Sequence, residues 1–259
     1  MLLSGKVAIL YGAGGSVGAA IAQAFAAEGA VMVLAGRRQE PLDAVKARII
    51  SADGKAECHV LDALDAAAVD AFARDVFTRH GHIDVSFNLI GYGDVQGQAV
   101  TAMPLDLFMQ PIDLAVRSHV ITARAAARHM QPGGVILALT ANCGRQPYPN
   151  TGGFGVACAA IEALCRQLAT ELGPDGIAVR CMMSAGSPDS AGVSEVFDLH
   201  ARLAGITRAE MDRRAGEGTM LRHLPGLAEV ADIAVMLASD RARAMTATIT
   251  NVTCGQIAD

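Results

Sequence analysis

LYGAGGSVGAAIAQAF, residues 10–25, joins a short apolar run to a helical pattern through a cluster of glycines. Glycine lets the backbone turn sharply and lie close to a pyrophosphate, and the free N–H groups of a helix start hold an anion. Glycines also serve plain helix–strand packing, so the surroundings of this turn decide its weight. KVAILYG (6–12) precedes it, and a second run, AVMVLAG (30–36), leads into Arg37 and Arg38. Further apolar runs follow at AECHVLD (56–62), DVSFNLI (84–90), GVILALT (134–140), IAVRCMM (177–183) and TATITNV (246–252). They are rich in Val, Ile and Leu without clean alternation, as strands buried on both faces require. Helical patterns at 16–28, 40–51, 66–80, 113–130, 156–172 and 228–239 separate them. This alternation predicts an α/β fold, a doubly wound parallel sheet of about seven strands with helices on both faces.

The 259 residues suit a single domain spanning 1–259. With 52% hydrophobic and 18% charged residues, a large core forms readily and disorder is excluded. A net charge of −5 without a Lys/Arg run argues against nucleic acid, and 4% aromatics without tryptophan leave no base-stacking platform. Six cysteines, at 58, 143, 158, 165, 181 and 254, are scattered along the chain and form no CxxC pair. They read as reduced thiols of a cytoplasmic protein, and no metal site is expected. The apolar stretch 7–36 is interrupted by glycines, Gln23 and Glu28, so it is not a membrane span. The opening MLLSGKVAIL lacks a basic n-region and a cleavage site, so it is not a signal peptide. One long excursion, 187–222, reads as a lid of one or two small helices over the carboxyl ends of the strands, where ligands bind in open α/β sheets.

A dinucleotide with a bare ribose meets an acidic residue at the end of the second strand. Gly36, Arg37 and Arg38 stand there instead. Arginine matches a 2′-phosphate in charge and in bidentate geometry, so NADP(H) is preferred over NAD(H). A solvated surface arginine pair is the other reading of these residues.

The chain resembles the short-chain dehydrogenase/reductase family over nearly its whole length. GAGGSVG (12–18), DALD (62–65), NLIG (88–91), TARAAARHM (122–130), ELGPDGIAV (171–179) and EVADIAVMLASDRARAMTATI (229–249) carry the likeness. The resemblance implies a Rossmann fold. It also implies a dinucleotide site in which Gly12, Gly15, Ser16, Val17 and Gly18 form the phosphate turn. Asp62 would hold the adenine amine and Ala63 would line the adenine site. Asn88, Ile90 and Gly91 would stand beside the ribose and tie two strands, with Gly186 following the sixth strand. Departures are already visible. Tyr11 and Ser16 replace the family's leading threonine and central glycine, and Ser184–Gly186 (SAG) replaces a proline–glycine pair. Members that reduce enoyl thioesters carry a serine like Ser16, though in a longer turn.

The family's reductases protonate a carbonyl oxygen with a tyrosine, aided by a lysine, a serine and an asparagine. The matching positions hold Phe154, Cys158, Ala141 and Ala115. None supplies the missing chemistry: phenylalanine has no O–H, alanine no polar group, and a neutral thiol is a weak donor. Losing one oxyanion donor costs about 10²–10³ in rate, and members of one catalytic unit are not additive. Tyr148 is the candidate substitute acid, in a loop that brings Thr140, Asn142, Cys143 and Arg145 to the same mouth. Tyr92, Asp94, Arg117 and His119 are further polar groups, with surface or subunit contact as their other reading. The expectation is an NADP(H)-binding oxidoreductase with a non-standard active site. Its small-molecule substrate would be apolar or already activated: an iminium, a quinone or a conjugated carbonyl. An apolar lid of Val193, Val196, Phe197, Leu199, Leu203 and Ile206 suits that choice. The alternatives are a catalytically silent nucleotide-binding protein and a non-redox enzyme such as a dehydratase or cyclase. By the same resemblance the chain is expected to form a homo-oligomer, dimer or tetramer, through its fourth and fifth helices.

Overall fold

The computed structural model describes residues 1–258. Seven strands form one sheet: β1 (Val7–Tyr11), β2 (Val31–Gly36), β3 (Lys55–Val60), β4 (Ile83–Asn88), β5 (Met130–Ala141), β6 (Ala178–Ser184) and β7 (Thr248–Val252). Their order is β3-β2-β1-β4-β5-β6-β7. Every neighbouring pair is parallel, with Leu10 beside Leu34 on one side and Phe87 on the other. Side chains alternate between the faces, so successive residues of β1 feed different cores. Ile9 and Tyr11 join Phe72, Val76 and Ile161, whereas Leu10 joins Ile21, Phe25 and Val235. The first core is roofed by α3 (Ala66–His80), α4 (Leu105–Ala127) and α5 (Phe154–Leu172). The second lies under α1 (Ser16–Ala27), α2 (Gln39–Ser51) and α8 (Leu227–Ala238). The excursion at 187–222 contains α6 (Ala191–Ala204) and α7 (Arg208–Glu217). No helix among the described residues is long and apolar enough to cross a membrane.

The fourth helix starts eight residues before the predicted 113, because it runs through Pro111. Proline in a helix interior removes one hydrogen bond and disfavours continuation. Gly153 packs directly on this turn: a Cβ there would collide with the Phe108 carbonyl oxygen and lie 3.1 Å from Pro111 Cγ. The strand order reverses between β1 and β4, and their carboxyl ends part to open a crevice. Gly12 makes the turn out of β1 at φ +76°, where a Cβ would strike the Leu89 carbonyl oxygen at 2.6 Å.

Candidate functional site

A cavity of about 450 Å³ fills the crevice. The turn after β1 contributes Gly12, Gly14 and Gly15, and the end of β2 contributes Gly36, Arg37 and Arg38. Asp62 and Ala63 follow β3, Ile90 and Gly91 follow β4, and Leu114 and Ser118 come from α4. Gly15 caps α1 without a side-chain acceptor, so N–H groups of the first helical turn remain for another one. A Cβ on Gly91 would meet nothing within 4 Å, which leaves open space before the β4 end. Tyr11 lines the same cavity with its hydroxyl buried and unpartnered, and burial pushes that phenol well above its usual range. Arg37 and Arg38 are exposed and make no ion pair among the described residues. These features accommodate a dinucleotide: free N–H groups, exposed guanidiniums, an orphan hydroxyl and room for the ligand.

Several of the expected residues also make structural contacts. Ser16 accepts a hydrogen bond from the Ala191 N–H at 3.3 Å, which ties the phosphate turn to the start of α6. Gly18 is buried, and a Cβ there would collide with the Gly12 carbonyl oxygen, so it packs against the turn. Val17 packs against the second core. Asn88 is 4% exposed; it accepts from the Ile90 N–H at 3.0 Å and donates to Thr122 Oγ1 at 3.3 Å. Its side chain thus ties the end of β4 to α4, while its backbone pairs with Tyr11 of β1 and Ala138 of β5. Gly186 turns the chain out of β6 at φ +87°, its N–H 3.4 Å from Ser184 Oγ. Pattern reading missed Leu114 and Ser118; their spacing, one helical turn apart on the face of Ala115, was the available signal.

Beyond the nucleotide crevice, Ala141 ends β5, Phe154 opens α5, and Cys158 lies one turn further on, fully buried. Ala115 is likewise buried in α4. The Phe154 ring packs 5.7 Å from that of Tyr92, whose hydroxyl donates to the Leu139 carbonyl at 2.9 Å. Cys158 Sγ lies 3.9 Å from Cys143 Sγ, and this contact, with burial, pushes the Cys143 thiol well up. The Cys143 thiol therefore stays protonated and unreactive. Arg117 pairs with Asp113 on the surface at 2.6 Å. His119 is buried; its Nδ1 meets the Ala115 carbonyl at 2.8 Å, and burial holds its pKa down to about 4.

Two polar chains link segments that follow the carboxyl ends of the strands. His200 of α6 meets Gln96 Oε1 at 2.7 Å, and Gln96 donates to Asp94 at 2.6 Å. Leu199 and Leu203 press on Gly97 in the same segment, seating α6 on the loop after β4. Tyr148 forms the second chain: Asn142 Nδ2 and Gln256 Nε2 both donate to its phenol oxygen, at 2.8 and 2.9 Å. Its burial raises the phenol pKa, and the two amides oppose that rise. Gln256 escaped sequence reading because it lies 108 residues from Tyr148.

A family profile described as Enoyl-(Acyl carrier protein) reductase matches residues 12–256. The chain is 30% identical to an uncharacterized oxidoreductase, YxbG, of Bacillus subtilis (strain 168), covering 92% of this chain and 86% of that one. It is 29% identical to an enoyl-acyl-carrier-protein reductase (NADH) 2 of Rhizobium meliloti (strain 1021), covering 98% and 92%. A crystal structure of NAD⁺-bound xylitol dehydrogenase superposes with a TM-score of 0.92 at 24% identity, over 98% of this chain and 100% of that one. Sheet order, crevice and sequence likeness agree: the chain belongs to the short-chain dehydrogenase/reductase family of oxidoreductases, which bind a nicotinamide cofactor.

Proposed function

We propose that this protein is an NADP(H)-dependent oxidoreductase with a non-standard active site, acting on an apolar or already activated acceptor. The observation that carries the reading is the pair of unpaired guanidiniums, Arg37 and Arg38, on the crevice wall where a bare ribose would need a carboxylate. They would hold a 2′-phosphate, the first turn of α1 the pyrophosphate, and Asp62 with Ala63 the adenine. Reduced nicotinamide, when bound, supplies a hydride. Phe154 gives the reacting site an apolar wall, and Ala115, Ala141 and Cys158 bring no proton to it. A simple ketone develops a strongly basic alkoxide that such a site stabilises poorly. An iminium already carries positive charge, and a quinone or conjugated carbonyl spreads the negative charge it gains. The 187–222 segment acts as substrate lid, closed on the loop after β4 through Leu199 and Leu203. Exposed Leu105 and Met109 of α4 and Val156 of α5 suit a homo-oligomeric contact.

Arg37→Ala tests the cofactor assignment by titration of nucleotide fluorescence. One lost charge-assisted hydrogen bond is worth about 1.5–3 kcal/mol, so NADPH affinity should fall roughly 10–150-fold while that for NADH stays within about twofold. Equal losses for both nucleotides would refute it.

A further inference from the structure

Asn142, Tyr148 and Gln256 close a hydrogen-bonded ring that the nucleotide crevice does not use. Asn142 stands just after β5, Tyr148 lies in the loop before α5, and Gln256 follows β7. Asn142 Nδ2 donates to the phenol oxygen at 2.8 Å and to Gln256 Oε1 at 2.9 Å, and Gln256 Nε2 donates to the phenol oxygen at 2.9 Å. An amide nitrogen has no lone pair to accept with, so the phenol cannot return its proton to either donor. Its O–H therefore points out of the ring, and it meets no acceptor among the described residues. The same loop is tied to the loop after β4: Gly97 N–H donates to the Asn150 carbonyl at 2.8 Å, and Gly97 is the residue on which Leu199 and Leu203 of α6 rest. Tyr148 is half-buried in that loop, six residues before Phe154 opens α5.

We infer that Tyr148 donates the proton that completes reduction at the oxygen of a quinone or conjugated carbonyl, with Asn142 and Gln256 as its positioning residues. The inference rests on the oxidoreductase reading above and narrows it, because reduction of an iminium leaves no oxyanion to receive a proton. Two-electron reduction of a conjugated acceptor turns its carbonyl oxygen into an enolate or quinol oxyanion. The Tyr148 O–H bond breaks, a new O–H bond forms on that oxygen, and solvent returns a proton to the phenolate. During that interval the two amide N–H groups hold the phenolate charge, a task that a neighbouring cation performs in other proton-donating sites. A quinol oxyanion is itself a phenolate, so donor and acceptor match in basicity, the condition for effective general acid catalysis.

Tyr148→Phe decides the catalytic role, with 1,4-naphthoquinone, a cyclic enone and a dihydroisoquinolinium salt as probes. Turnover of the two oxygen acceptors should fall at least about 100-fold, the lower range for general acid catalysis, while any turnover of the iminium stays within about twofold. Undiminished quinone and enone reduction in the variant would overturn the inference. So would the absence of any oxygen-acceptor turnover by wild-type protein that binds NADPH. Failure to bind NADPH sinks the cofactor reading instead, and a second measurement then still decides on Tyr148. Tyrosinate absorbance of the nucleotide-free protein should show Tyr148 ionising first, since burial pushes Tyr11 and Tyr92 higher. The titratable group facing the phenol is the Cys143 thiol, which stays protonated. Gln256→Leu should move that first transition to higher pH, because one donor to the phenolate is gone. An unmoved transition means the ring does not hold the phenolate, and the inference falls.

Discussion

His119 carries a proton economy of its own. Its ring is 5% exposed, its Nδ1 meets the Ala115 carbonyl, and its Nε2 has no partner among the described residues. Burial lowers its pKa to about 4, against 6.5 in the unfolded chain. Folding therefore favours the neutral ring, and the contribution is fully present above pH 6.5. As pH falls from there towards 4, the unfolded chain takes up a proton that the folded protein refuses, and stability drops by roughly 3 kcal/mol. His119→Leu should flatten this part of the profile: between pH 7 and 4.5, urea unfolding of the variant should lose about 2–3 kcal/mol less than wild type. Parallel profiles would mean that the ring is protonated inside the fold. The residue also marks a limit of pattern reading. A histidine on a helix gives no sign of its burial until the packing of α4 against the sheet is known.

Elements meet at Arg180, in β6. The side chain is 2% exposed, yet no carboxylate among the described residues pairs with it; its Nε donates to the Met245 carbonyl at 2.6 Å and its Nη1 to the Leu237 carbonyl. Leu237 lies in the last turn of α8, where carbonyls lack helical partners and the helix dipole is negative. The guanidinium thus joins strand, helix end and the approach to β7, at a desolvation cost that pulls its pKa down. An apolar residue would remove that cost but strand two buried carbonyls, and the stranded acceptors dominate. Arg180→Met should lower unfolding free energy by about 2–3 kcal/mol in urea, with the denaturant slope unchanged. The fourth helix teaches the same lesson about elements. Its amphipathic part was legible, but the turns before Pro111 depend on Gly153, some forty residues on, which no local preference encodes.

At the scale of the molecule, the crevice lies where the two halves of the sheet diverge, so a nucleotide there touches β1, β2, β3 and β4 ends together. Binding should stabilise the whole fold: at about 100 times its Kd, NADPH adds roughly 2.7 kcal/mol, or about 5–10 °C in Tm for a chain of this length. A melting temperature indifferent to both NADPH and NADH would remove the nucleotide from the account. The sequence by itself determined the parallel sheet, its helices on both faces and the glycine turn at the β1 end, because strand burial, helical period and turn chemistry are written in neighbouring residues. Only the tertiary structure decided which polar groups meet. Ser16 finds Ala191 across 175 residues, and Asn142 finds Gln256 across 114. Those contacts follow from the register of β5 against β6 and of β6 against β7, and from the seating of α6 on the loop after β4. Side-chain hydrogen bonds have a tolerance of a few tenths of an ångström, whereas a local pattern specifies a face and nothing finer.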